Sequence, residues 1–177
     1  MSSRDMQLIR CTAKLLKEIG LKKSELIDEP PEFSFLGQWH ANLIYINRRK
    51  CVLFVNDKVL INFIVPDVSR AEIRNLAQMF KSMFHCILAD EGYSQEQITK
   101  ILAEYSEIGI GKSNNRSVLG SINDLAYHYE YSILESGGSH SAEVPLIISR
   151  LNMMPMHSSK KCIFPIDELQ KLYPPAL

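Results

Sequence analysis

Gly109-Ile110-Gly111-Lys112-Ser113 is the stretch whose residue types most resemble chemistry, because it ends in the Gly-Lys-Ser of a phosphate-binding loop. A complete motif of that kind needs a glycine where this chain has Ser106, and it follows a buried strand rather than an amphipathic helical pattern, so a nucleoside triphosphatase is not expected. A weaker point stands. A glycine-containing loop at a helix start presents backbone N–H groups, and Lys112 and Arg116 add positive charge with no acid between Glu107 and Asp124. Farther along the same helix, Arg116, Gly120, Asn123 and Tyr127 share a side distinct from the apolar Val118-Ile122-Leu125-Tyr129 stripe. One reading makes this side a ligand face, with Gly120 admitting close approach; the other makes Gly120 a packing residue among solvated neighbours. On the first reading Lys112, Ser113, Asn115 and Arg116 hold phosphate, and Asn123 and Tyr127 orient the ligand.

Asp124 and His128 stand four apart and could pair, and His40 could supply a second imidazole; these are the candidates for general acid–base work. No H-x-x-x-H or H-E-x-x-H spacing occurs, so no metal site is expected, and no other cofactor is implied. There is no G-x-S-x-G elbow of a serine hydrolase. Arg48 and Arg49 crown a hairpin tip, and Val144 to Ile166 carries Arg150, His157, Lys160 and Lys161 without an acid. If these segments fold to one side they extend a phosphate-binding surface, with Trp39 and Tyr45 available for stacking; singly, each is a solvated turn.

The elements that must position these residues follow from pattern. Met6 to Cys11 alternates as a short strand, and Thr12 and Gly20 bracket a short helix. Lys22 to Pro31 is polar and turn-rich. Ala41–Ile46, Cys51–Val55 and Val59–Val65 are β-rich runs with tight connections, which predicts an antiparallel meander. Capping-box spacings at Ser69/Glu72 and Ser94/Gln97 open helices over Ser69–Glu91 and Ser94–Glu107, and a third runs from Asn115 to Glu135. The expected fold is therefore a single α+β domain, an antiparallel sheet of meander plus N-terminal strand under three main helices. Residues 136–143 form a flexible loop in this reading, and residues 144–177 a C-terminal extension packed on the domain.

With 177 residues, 46% hydrophobic and 23% charged, the chain suits one globular core. Twenty basic and twenty acidic residues cancel, so the whole molecule has no electrostatic drive toward nucleic acid or anionic membrane. The four cysteines lack C-x-x-C spacing and read as small buried hydrophobes in a reducing cytosol; with no signal peptide and no membrane-length apolar run, a cytoplasmic protein without membrane contact is expected.

Three segments together carry a resemblance: Trp39-His40-Ala41-Asn42; Arg48-Arg49-Lys50 with Phe54-Val55-Asn56-Asp57; and Asn115-Arg116-Ser117-Val118-Leu119-Gly120-Ser121-Ile122-Asn123-Asp124. The chain resembles, from Gln7 to about Tyr131, an uncharacterised family of small bacterial proteins described only as a domain of unknown function. The resemblance implies a bacterial, cytoplasmic, single-domain protein and transfers no activity; it draws attention to Trp39, Asn42, Arg49, Asn56, Arg116, Asn123 and Asp124. The functional expectation is a phosphate-recognising module for RNA, DNA or a nucleotide, in a toxin or phage-defence setting. Its alternative is a non-catalytic interaction subunit that pairs with itself or another protein through the outer strand of the meander.

Overall fold

The computed structural model describes residues 6–29, 34–158 and 161–176. The polar opening of residues 1–5, the Pro30-Pro31 pair and Lys160 lie outside them.

Five strands form the main sheet in the order β4-β3-β2-β1-β5. They are β1 (Gln7–Cys11), β2 (Trp39–Ile46), β3 (Arg49–Asn56), β4 (Asn62–Val65) and β5 (Ile108–Lys112). The predicted meander is present as β2-β3-β4, and its first connection is a two-residue turn in which Asn47 and Arg48 both take positive φ, 49° and 65°. Such a turn matches the twist of the strands it joins.

The sheet as a whole is mixed, which corrects the antiparallel expectation. β1 runs parallel to both neighbours, pairing Arg10 with His40 on β2 and with Gly111 on β5. Pattern did not reveal β5 because two of its five residues are glycines, which are depleted in strands. They are required by contact. A Cβ on Gly111 would stand 2.6 Å from the carbonyl oxygen of Ile27, and one on Gly109 would strike the Ile27 side chain. The Ile27 segment crosses β5 at that distance and donates its N–H to Ile110 O at 2.9 Å.

Helices cover both faces of the sheet, and the described residues form seven α-helices rather than three main ones. Along β2–β4 the side chains of Trp39, Phe54 and Phe63 point to one face. There they meet Phe80 and Phe84 of α3 (Leu76–Asp90), with Trp39 4.9 and 5.1 Å from those rings. Trp39 Nε1 donates to Tyr105 Oη at 2.9 Å, just after α4 (Gln95–Ala103). Each fully buried ring contributes roughly 1.5–3 kcal/mol. The predicted long helix is divided: α2 (Arg70–Arg74) opens on the Ser69–Glu72 capping box and α3 restarts after Asn75, whose ψ of 48° is not helical.

The alternate residues, His40, Val55 and Asn62, face the other way, toward α5 (Arg116–Glu135) and α6 (Val144–Asn152). The stripe Val118-Ile122-Leu125-Tyr129-Ile133 is buried, as its period requires. Tyr129 Oη donates to Asn62 Oδ1 at 2.7 Å. Asn152 receives the Asn62 N–H at 2.9 Å and donates to the Asn62 carbonyl at 2.8 Å. A side-chain amide thus stands where a further strand would pair, and it occupies both outward groups of the first residue of the outer strand.

Helix α1 (Ala13–Ile19) ends, as expected, on Gly20 with φ 78°. The tail adds the hairpin β6 (Met156–Ser158) and β7 (Lys161–Ile163) and helix α7 (Pro165–Leu172). One cluster of buried side chains reaches from Ile9 to Leu169. Residues Ser139 and His140, in the loop expected to be flexible, both reach Asp67: Ser139 Oγ donates to Oδ1 at 2.8 Å and His140 Nδ1 lies 3.1 Å from Oδ2. Of the four cysteines, Cys11 and Cys51 are buried, whereas Cys86 and Cys162 are exposed.

Candidate functional site

Because β1 pairs with β2 on one side and β5 on the other, the chain leaves β1 in one direction and returns beside it from the other. At such a divergence a crevice opens at the carboxyl ends of β1 and β5, beside the amino end of β2. A cavity of about 260 Å³ lies there, lined by Arg10, Asp28, Gln38, His40, Asp57, Asn114 and Asn115.

Its floor holds two buried charge-capable side chains. Arg10 is 4% exposed, and its guanidinium donates to Gln38 Oε1 at 2.6 Å, Lys112 O at 3.1 Å and Asp28 O at 3.3 Å. All three acceptors are neutral, so these bonds orient the cation without neutralising it. His40 is 1% exposed, and among the described residues neither ring nitrogen has a hydrogen-bond partner. Its Nε2 lies 3.6 Å from Asp57 Oδ2, while Asp57 Oδ1 is fixed by the Gln38 N–H at 2.8 Å. A buried polar group left unpaired costs about 1–3 kcal/mol, and few persist in a folded chain without a reason.

The rim comes from the start of α5. Asn115 caps the helix, its Oδ1 accepting from Ser117 N at 3.0 Å and Val118 N at 3.3 Å. Ser113 is tied down as well, its N–H donating to Cys11 O at 3.0 Å. The glycines of the Gly-Ile-Gly-Lys stretch therefore serve strand packing, and the loop offered to a ligand shrinks to Ser113 and Asn114 before the capped helix.

Further cavities follow along α5. Asp57 and Asn115 also line a second cavity of about 180 Å³ with Ser117, Ser121 and His157. Ser121 and His157 in turn border a third of about 170 Å³ with Asp124, Leu125, His128, Met154 and Met156. The three share lining residues and follow one another along α5 for roughly 20 Å, from Asn115 to His128 at 1.5 Å per residue. They are polar at the Arg10 end, hydroxyl-rich in the middle and more apolar at the far end.

Of the residues singled out by sequence, His40 and Asn115 come together at the first cavity, and Asp124 and His128 line the third. Lys112 contributes its carbonyl to Arg10, and its exposed side chain leaves from the same strand end. Arg116, Asn123 and Tyr127 are exposed on the outer side of α5 and line none of these cavities. Arg48 and Arg49 sit about 20 Å away at the opposite end of β2, counting about 3.3 Å per residue from Ala41, which is level with Lys112. Arg49 Nε lies 3.6 Å from Asp67 Oδ1. Trp39 is buried in the aromatic core, so it is closed to stacking, while Tyr45 is half exposed. Among the described residues no group of three or more His, Cys, Asp or Glu could hold a metal ion, and no helix is long and apolar enough to cross a membrane.

Sequence reasoning missed Arg10, Gln38, Asp28 and Asp57. The signal for Arg10 was legible: a lone cation inside Leu8-Ile9-Arg10-Cys11, where every residue of the strand proves buried.

Fold and cavity define a small α+β protein with a mixed five-stranded sheet, helices on both faces and a polar crevice at the carboxyl ends of β1 and β5. Over residues 8–168 the chain matches the family described as domain of unknown function DUF6933, and it belongs to that family. No match is found among curated proteins.

Proposed function

We propose that this protein binds a small phosphorylated ligand, a nucleotide in the first instance, with its phosphate at the Arg10–His40–Asn115 cavity. The observation that carries the reading is the buried His40, whose ring nitrogens have no hydrogen-bond partner among the described residues, beside an Arg10 whose hydrogen-bond acceptors among those residues are neutral. An anion would accept from both and recover the desolvation their burial cost. Asp57 restricts which anion: an accepting carboxylate on the same wall favours a ligand that also carries a hydroxyl donor, as a ribose does. The hydroxyl-rich middle cavity suits the sugar, and the Leu125–Met154–Met156 end suits a base. The cavity's size and the net charge of zero favour a mononucleotide over RNA or DNA.

The test is a thermal-shift and calorimetric titration with nucleoside monophosphates, inorganic phosphate and unphosphorylated nucleosides. At a ligand concentration of about 100 Kd the native state gains about 2.7 kcal/mol, or roughly 5–10 °C in Tm. His40→Leu removes this imidazole, so the free protein keeps or gains stability while the ligand-induced shift disappears. Lys112→Ala retains binding with a shallower salt dependence. No shift with any phosphorylated compound refutes the reading.

A further inference from the structure

The outer side of α5 has no role in that cavity and carries a separate argument. Tyr127 is 71% exposed, Tyr131 62% and Leu134 47%, and they follow Arg116, Gly120 and Asn123 along one face. Gly120 is the anomaly: it sits in mid-helix without positive φ, and a Cβ there would meet nothing within 4 Å. Its own fold does not need it, yet glycine costs a helix about 1 kcal/mol relative to alanine. The charges along α5 are divided as well. Up to Asn123 the only charged side chain is Arg116; from Asp124 onward come Asp124, Glu130 and Glu135 with no Lys or Arg.

We propose that this face is the contact between two copies of the chain, with the two α5 helices packed antiparallel about a twofold axis. A register centred between Asn123 and Asp124 sets Tyr127 of each copy over Gly120 of the other, where the missing side chain lets the ring lie against the backbone. The same register puts Arg116 opposite Tyr131 and next to Glu130 of the second copy, a cation placed to meet both a ring face and a carboxylate. Antiparallel helix dipoles also attract, and a twofold arrangement uses each contact twice. Charge complementarity of the face with its own reverse is what selects a second copy over an unrelated partner. The outer-strand route is less open, because Asn152 already holds the outward groups of Asn62. A single helix pair buries area at the low end of specific interfaces, so the dimer is reversible and depends on concentration.

Sedimentation equilibrium over a wide concentration range tests this. The wild-type mass should rise from the 20.2 kDa monomer toward the dimer. Tyr127→Glu should weaken association at least about tenfold, the loss expected of a central aromatic contact, with circular dichroism and Tm of the monomer unchanged because the residue is exposed. Arg116→Glu and Glu130→Arg should each weaken it, and the double variant should restore it. A monomer at every concentration overturns the proposal. So does a dimer that survives Tyr127→Glu, or a double variant no better than either single one.

Discussion

Gly111→Ala tests whether the glycines of β5 exist for packing. The added methyl would lie 2.6 Å from Ile27 O, whereas ordinary contact begins at 3.4 Å, so one backbone must retreat by roughly 0.8 Å. It cannot do so freely. Ile27 is bonded to Ile110 through its N–H, and Arg10 holds the next carbonyl, that of Asp28. Overpacking typically costs about 1–3 kcal/mol, and losing the Ile27–Ile110 hydrogen bond adds about 1 kcal/mol. The sum, about 2–4 kcal/mol, corresponds to a Tm lowered by roughly 4–16 °C in a chain of this size. Urea unfolding followed by fluorescence measures it, because Trp39 is the chain's one tryptophan and is buried. Gly109→Ala should cost less, since the atoms it meets are the ends of the Ile27 and Met6 side chains. A neutral Gly111→Ala, or a Gly109→Ala that is the more damaging of the two, would refute the packing account and return these glycines to ligand duty.

Asn152→Ala should destabilise by about 2–5 kcal/mol in the same assay, because it strips partners from the buried N–H and C=O of Asn62. Tyr129→Phe, which removes the bond to Asn62 Oδ1 and the longer one to Asn62 O, should cost about 1–2 kcal/mol. Burial raises the Glu91 carboxyl above its ordinary value, so its ionisation opposes folding: stability is full at low pH and falls as pH rises through the folded-state value. Glu91→Gln should therefore raise Tm at pH 7 and lose that advantage below about pH 4, as a pH series of melting curves would show.

Local signals in the sequence were trustworthy where one short segment decides its own structure. The capping boxes at Ser69 and Ser94, the stop at Gly20 and the buried stripe from Val118 to Ile133 all depend on residues within a turn or two of one another. The parallel pairing of β1 does not: its partners begin at Trp39 and Ile108, and nothing within Gln7–Cys11 names them. Glycine misled for a similar reason. Its meaning at Gly111 is set by a carbonyl some eighty positions earlier, whereas at Gly120 no atom of the chain sets it. Around the cavity, His40 was legible as a candidate imidazole and Asn115 as part of the candidate phosphate-binding stretch at the start of α5. Arg10, Gln38 and Asp57 gain their significance only when the turn after β3, the segment before β2 and the end of β1 converge.

The placement of β1 also governs the order in which the molecule can be completed. Strand β1 has one edge closed by β2 about thirty residues later, but its other edge stays open until β5 is made about a hundred residues on. Until then a nascent chain holding β1 to β4 displays the unpaired edge of β1 to whatever strand is near. Synthesis stalled or truncated before Ile108 should accordingly yield sticky, chaperone-dependent fragments, and a folded core should emerge only once the segment that closes that edge has been translated.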